Sequence, residues 1–537
     1  MSGALDLRNR DGLFDTLGGE TFDVLVIGGG VTGAGVARDA AMRGLRVALV
    51  EARDFASGTS SRSSKMIHGG LRYLPQGDIA LVREAASERK IVQAIAPHLA
   101  REAPFVIPGK NAATITKIRT GLWTFEKLGG VPKSRKHEVW SLAELKAKEP
   151  AIAADDLAGA VVYPEYLTDD ARLTLANVRS AAAHGAVVAN YAGVETLVLD
   201  NGRAVGAQVR DTLPGGGEHS IRVSAKVIVN AAGPWVDAIR ALEAGDAAPR
   251  LKLTKGVHVV VPRARLPINR TVILPAADRR SVFAVPRGEM TYLGTTDTFH
   301  PQVETWPAIT AEDADYLLAA AAQRFSTPAL GPADITSAWS GVRPLVAEEG
   351  KSPSEISRRD ELWTGPGGVL SIAGGKLTAY RRMAERVVDS IEEALGRKPG
   401  KSRTADEPLV GGDLDPPKLT AGLAAKGADA SVAGRLVDLY GSEAGSVLAA
   451  GGDAAAEARR AIKYEGALTL EDYWVRRSAR AWFDPDGGLG ALDAAAQAMA
   501  PLLDWSASEI ARQLQACHAI RHRNMAAFKT NYEKNLT

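Results

Sequence analysis

Three glycines spaced G-x-G-x-x-G, Gly28, Gly30 and Gly33, follow the apolar run DVLVI and open an Ala-rich stretch, Val31 to Arg43. Glycines at this spacing permit a tight turn, close approach of backbone to a pyrophosphate, and close packing of helix on strand. The first N–H groups of the helix have no intrahelical partner and can hold the anion. Gly44 ends the helix, RVALV reads as a second buried strand, and Glu51 closes it. An acid there can accept hydrogen bonds from a ribose hydroxyl. The implied chemistry is dinucleotide binding, with NAD and FAD both open.

Three other stretches carry suitable residue types. Residues 52–78, ARDFASGTSSRSSKMIHGGLRYLPQGD, are dense in Ser, Gly and Thr, with Lys65, His68, Arg72 and Tyr73 interleaved. This loop leaves the second strand beside the cofactor, and its small donors and cations suit a flavin and an anionic ligand. The buried strand KVIVNAAG ends on Gly233, where backbone can approach the cofactor. Residues 368–395 read as strand, Gly374-Gly375-Lys376 turn and helix, a second place for backbone donors to meet a polar ring edge or phosphate.

The elements that position these residues are legible in part. Residues 1–20 read as a loose polar lead-in. A helix over IALVREAASERKIVQAIAPHL has Leu81, Ala85, Ile91 and Ile95 as its apolar face. Residues 168–186 form a helix opened by Thr168, with Asp169 and Asp170 in its first turn. Asn201-Gly202 between apolar runs signals a hairpin. KLTKGVHVVVP (252–262), SVFAVPRGEMTYLGTTD, ITSAWSGVRPLV (335–346) and the 368–395 unit read as a second, β-rich domain. PLVGGDLDPPK (408–418) is a Gly/Pro linker. Beyond it the chain is helical, with Val432, Leu436 and Leu439 at helical spacing, and no chemical constellation is evident after residue 400. That segment reads as accessory and structural.

Bulk composition bounds the function. A chain of 537 residues suggests about two to four domains. Hydrophobic residues at 45% and charged residues at 24% are ordinary for a globular protein. A net charge of +2 argues against nucleic-acid binding driven by bulk charge. The single cysteine, Cys517, excludes internal disulfides, Cys-rich zinc sites and an Fe–S cluster, and fits a reducing compartment. No signal peptide is visible, and no apolar run reaches membrane-spanning length, so any membrane contact is peripheral. Residues 117–137 hold six Lys/Arg (117, 119, 127, 133, 135, 136) against Glu126, with Leu122, Trp123 and Phe125 among them. Such a segment suits anionic lipid headgroups, with a basic surface turn as the plainer reading.

VIGGGVTGAG, SSKMIHGGLRYL, TDDARLTLAN, NAAGPW, KLTKGVHVVVP, GTTD, SGVRPL and GGKLTAYRRMAE occur in the order of the FAD-dependent, respiratory glycerol-3-phosphate dehydrogenases, which the chain closely resembles over about residues 20–395. AIKYEGALTLEDYWVRR resembles that family's helical C-terminal domain. The resemblance implies an α/β fold: a glutathione-reductase-type, Rossmann-like FAD domain within 21–400. It also implies an interleaved β-rich substrate domain, mainly about 90–160 and 250–345, and a helical domain over 401–537. It implies oxidation of sn-glycerol 3-phosphate to dihydroxyacetone phosphate, with electrons passing to a quinone. The expected location is cytoplasmic, peripheral at the inner face of the membrane, without nucleic acid and with a homodimer left open.

The family's roles fall on matching residues. Gly28, Gly30, Gly33 and Glu51 match the ADP half of FAD. Thr59, Ser60, Lys65, His68, Gly69 and Gly70 match the isoalloxazine and pyrophosphate loop. Gly374, Gly375, Lys376, Leu377 and Thr378 match the other flavin edge, and Arg72, Tyr73, His258, Arg343 and Lys376 the substrate pocket. The chemistry suits these types: arginine forks grip a phosphate dianion, and an imidazole titrating near pH 6.5 can serve as base. Arg343 or Lys376 could instead stabilise a developing alkoxide. An isolated histidine in an apolar strand is more often a satisfied core residue, and Asp297 reads as structural. An oxygen-using oxidase, an amine or amino-acid oxidase of the same fold, and a flavoprotein without turnover remain as alternatives.

Overall fold

The computed structural model describes residues 3–68, 79–128, 131, 135–216, 219–245, 248–278, 280–347 and 359–528. Two sheets organise the chain. In the first, the strand Thr21–Ile27 lies between Val47–Val50 and Ser220–Asn230 and is parallel to both. Val187–Ala189 extends one side and Leu370–Gly374 the other, again in parallel. Continuous apolar runs belong in such strands because helices cover both faces. Helix Val31–Met42 is buried from Gly33 onward. It packs with helices Asp170–Ala183 and Tyr380–Ala394 over a core that includes Val24, Val26, Ala37, Leu49, Val178 and Val387.

Leu370–Gly374 therefore belongs to the nucleotide sheet, a correction to its expected place in the second domain. Its LSIA run is buried throughout, as a central parallel strand requires, and it registers on Val229 and Asn230. The Asn201-Gly202 hairpin forms between Ala192–Asp200 and Arg203–Asp211, with both turn residues at positive φ (48° and 77°).

The second sheet collects strands far apart in sequence: Met66–Ile67, Arg101–Gly109, Glu138–Ser141, Gly159–Leu167 and six further segments between Leu251 and Val346. Its long central strand, Leu251–Pro262, pairs antiparallel with Ser337–Val346 and Met290–Gly294. Strand alternation divides its side chains between two faces. Val257, Val259 and Val261 enter a core with Leu266, Leu317 and Ile335. Thr254, Gly256 and His258 lie on the opposite face.

Several local expectations need correction. From residue 3 onward the lead-in is packed on the protein: Leu5 and Leu7 are buried, and helix Arg10–Gly19 buries Phe14 and Leu17. The backbone of Leu5 bonds to Tyr464 and Gly466, which ties it to the C-terminal helices. Helix Asp170–Ala183 is capped by Asp169 rather than Thr168, because the Asp169 carboxylate accepts from Arg172 N. Residues 408–418 are no free linker. Leu409 is buried with its N–H on Ile95 O, and a Cβ on Gly412 would lie 2.1 Å from that oxygen. Val432 is exposed, while Leu436 and Leu439 are buried. In the basic–aromatic segment, helix Ala112–Leu128 buries Leu122 and Phe125 and leaves Trp123 half exposed.

Candidate active site

The carboxyl ends of four parallel strands lie along one edge of the sheet, the edge where ligands bind in open α/β sheets. Gly28 follows the first strand at φ +111°, and a Cβ there would lie 2.6 Å from Ala231 O. A Cβ on Gly33 would lie 1.9 Å from Gly28 O, so the helix can approach the strand only through glycine. Gly30 is the N-cap of helix Val31–Met42 and offers no side-chain cap, and of the first backbone donors Val31 N is taken by Ser60 Oγ. Glu51 ends the second strand, where its carboxylate accepts from Gly29 N at 2.7 Å and Arg53 N at 2.9 Å. Burial pushes its pKa up. Gly233 starts the turn after Asn230 at φ +56°. This cradle of glycine backbone, helix N-terminus and acid fits the adenosine and pyrophosphate parts of a dinucleotide.

The loop leaving Glu51 is pinned along its length. Ser60 Oγ accepts from Val31 N at 2.9 Å, and Thr59 Oγ1 donates to Val342 O at 2.6 Å. Asp170 accepts from Ser63 N, Ser63 Oγ and Lys65 Nζ, the last at 2.6 Å in a fully buried pair. Lys65 Nζ is thus engaged within the protein. His68 N and O both bond Thr378 Oγ1 at 3.2 Å, which joins the loop to the turn after Gly374. Gly374 and Gly375 take φ of +79° and +77°, and a Cβ on either would meet Arg359 O or Met383 Sδ. Two successive left-handed residues favour glycine at both positions. Lys376 then caps the helical turn Leu377–Ala379.

The second sheet supplies the facing wall. Its register sets Thr254 opposite Arg343, Gly256 opposite Gly341 and His258 opposite Trp339. The Arg343 guanidinium lies over Gly256, whose added Cβ would be 2.2 Å from Nη2. Arg343 is oriented by Asp297 Oδ1 at 3.1 Å and Thr295 Oγ1 at 2.9 Å. His258 stacks on Trp339 with centroids 4.7 Å apart, and its Nε2 lies 2.9 Å from Ser64 Oγ. Gly294 makes room for the ring, since a Cβ there would be 1.9 Å from His258 Cδ2. Trp339 Nε1 and Tyr292 OH donate to Ser63 O and Ser64 O, so the loop and this wall touch.

Burial, with Arg343 and Lys65 nearby, pushes the His258 pKa well below 6.5. The imidazole expected to titrate near 6.5 is thus held neutral, because its cation would be desolvated beside two other cations.

The structure brings together Glu51 with the glycine turn, His68 with Thr378, and His258 with the 63–65 loop. Gly69, Gly70, Arg72 and Tyr73 lie outside the described residues. Sequence reading missed Ser64, Trp339, Tyr292 and the loop-holding role of Asp170. Asp170 had been legible only as a helix-start acid, and an aromatic in a β-run signals core by default.

The family model for FAD dependent oxidoreductase matches residues 23–381, and the model for the C-terminal domain of alpha-glycerophosphate oxidase matches residues 402–510. An aerobic glycerol-3-phosphate dehydrogenase of Staphylococcus aureus (strain USA300) is 39% identical over 534 residues, covering 94% of this chain and 95% of that protein. One from Bacillus subtilis (strain 168) is 40% identical over 502 residues, covering 88% and 90%. The structure of the glycerol-3-phosphate dehydrogenase from Bacillus halodurans complexed with FAD superposes with a TM-score of 0.80 at 33% identity, covering 97% of this chain and 99% of that one.

Proposed function

The chain belongs to the FAD-dependent oxidoreductases, among the glycerol-3-phosphate dehydrogenases, and on that premise we propose that it oxidises sn-glycerol 3-phosphate at C2 to dihydroxyacetone phosphate and passes the electrons to a membrane quinone. The observation that supports the reading best is the convergence of Arg343 and His258 on one face of a strand pair, against the loop that leaves Glu51. Bound FAD supplies the two-electron acceptor for the C2 hydride. Gly28, Gly30, Gly33 and Glu51 are the residues we assign to its ADP half. Thr59, Ser60, Lys65, His68, Gly233 and Gly374 to Thr378 are assigned to the rest, with Lys65 acting through the loop it holds.

Arg343 is the phosphate ligand in this reading, with Arg72, Tyr73 and Lys376 as co-ligands. Its fork is pre-oriented by Asp297 and Thr295, so little side-chain freedom is lost on binding. The neutral imidazole of His258 takes the C2 hydroxyl proton. Ser64 Oγ, 2.9 Å from Nε2, can accept that proton while handing its own to Nε2, so a fully buried ring can serve. The incoming phosphate dianion offsets Arg343 and Lys65, which raises the basicity of the ring when substrate is present.

Glycerol 3-phosphate added anaerobically should bleach the flavin band of the holoenzyme; an unchanged band sinks the proposal. Reoxidation by a quinone analogue, with little peroxide in air, separates the dehydrogenase from an oxidase. The C-terminal match to the glycerophosphate oxidase domain keeps the oxidase as second reading. The quinone assignment accords with helix Ala112–Leu128, which exposes Trp123 with Lys127 4.3 Å from its ring and Lys117 and Arg119 on the surface. Among the described residues no helix is long and apolar enough to cross a membrane.

A further inference from the structure

Residues beyond 400 hold a buried charge cluster that reaches back to the cofactor loop. The segment Asp472–Arg477 is a π-helical turn, and such wide turns recur at functional sites. The turn projects Arg476 and Arg477 onto Asp54, which lies three residues after Glu51. Arg477 Nη2 meets Asp54 Oδ1 at 2.8 Å, while Arg476 Nε and Arg477 Nη1 both donate to Oδ2. Asn190 Nδ2 completes the carboxylate at 3.1 Å. Asp54 and both arginines are at most 1% exposed. Behind them Asp472 binds Arg476 Nη2 and Tyr191 OH, both at 2.7 Å.

The contact continues from Asp54 toward the glycine turn. Phe55 is fully buried against Gly29, and Ala56 N donates to Gly29 O at 3.0 Å. Ala56 is held at φ +62°, an uncommon conformation for alanine that persists where surroundings impose it. Ser57 N closes on Asp54 O. Residues 54–57 thus run from the arginine pair to the backbone that faces the pyrophosphate.

We propose that Arg476 and Arg477 are positioning residues for the cofactor: by clamping Asp54 they fix the loop from Glu51 to Ser60, so the C-terminal domain governs FAD retention. This rests on the cofactor assignment made above. Asn190, Glu465, Glu471 and Asp472, which partner Asp54, Arg476 and Arg477, lie off the strand pair that carries Arg343 and His258, so the effect should fall on FAD release more than on KM for substrate.

The test uses holoenzyme and a charge-balanced double variant, Asp54→Asn/Arg477→Gln, so that no buried charge is left alone by the pair's removal. A comparison variant, Arg179→Gln/Glu443→Gln, cuts another ion pair between the same domain and helix Asp170–Ala183, away from the loop. FAD release is followed by the rise in flavin fluorescence on dilution, alongside Tm. The clamp variant should release FAD at least 10-fold faster than wild type, with KM changed less than twofold. The comparison variant should lose a similar amount of Tm and keep wild-type release. Equal release from both double variants, or wild-type release from the clamp variant, overturns the proposal. Gly33→Ala serves as a separate check: if it leaves FAD release unchanged, the cofactor placement itself fails, independently of the clamp.

Discussion

Gly256→Ala moves a charge without removing it. The new Cβ would lie 2.2 Å from Arg343 Nη2 and 2.6 Å from Cζ. Restoring an ordinary contact of ~3.5 Å requires the guanidinium to shift by roughly 1.3 Å. The obstacle is the far end of a flexible side chain, so the strand itself survives, and Tm should move by only a few degrees. If Arg343 grips the phosphate bidentately, as proposed, a fork displaced that far keeps one of two phosphate bonds. Each charge-assisted bond is worth about 1.5–3 kcal/mol, so losing one should raise KM for glycerol 3-phosphate by about 10- to 100-fold. Arg343→Ala loses both bonds and should exceed this. Steady-state kinetics with an artificial acceptor separates the roles. A rise in KM with steady kcat places Arg343 on the phosphate, and a matching fall in kcat places it on the developing alkoxide. If both variants keep wild-type KM and kcat, the assignment of Arg343 to substrate is wrong.

Other outcomes follow from the same geometry. Gly33→Ala forces a backbone clash that no side chain can relieve, and overpacking costs of about 1–3 kcal/mol predict FAD binding roughly 10- to 100-fold weaker by fluorescence titration. His258→Asn should lower kcat by about 10²- to 10⁴-fold, as loss of general-base catalysis does, with FAD still bound. Ser64→Ala should show a smaller loss on kcat alone; full activity in Ser64→Ala would remove the proton relay. Burial holds the pKa of His98 at about 3 against its ordinary 6.5. The unfolded chain therefore binds this proton below pH 6.5 while the folded chain does not, and stability falls as pH drops from 6.5 toward 3. At pH 5 the loss is about 2 kcal/mol, so His98→Gln should shrink the stability gap between pH 7.5 and pH 5 by that amount in denaturant melts. Trp123→Ala with Lys127→Gln should weaken sedimentation with anionic vesicles, and unchanged binding would take helix Ala112–Leu128 out of the membrane contact.

Local chemistry made the nucleotide unit readable. Gly28, Gly30 and Gly33 act within one turn, DVLVI and Val47–Val50 are buried throughout, and Asn201-Gly202 supplies its own turn conformation. Such features need only neighbours in sequence. The type of residue at Arg343 and His258 was legible too, since charges and imidazoles stand out in apolar strands.

What they touch was decided by tertiary structure. Strand register set Arg343 over Gly256 and His258 against Trp339, some 80 residues away along the chain. Burial beside Arg343 and Lys65 then removed the near-neutral pKa that an isolated imidazole would have. Lys65 looks like a ligand-binding cation in sequence, yet its charge is spent on Asp170, because an unpaired ammonium there would be desolvated. The same reason hid the role of residues 476–477: an arginine pair in a helical tail has no visible partner until folding brings Asp54 to it. Short-range spacing determined that this chain builds a dinucleotide-binding unit; partner choice across hundreds of residues, and the solvation it imposes on each charge, came only with the packed structure.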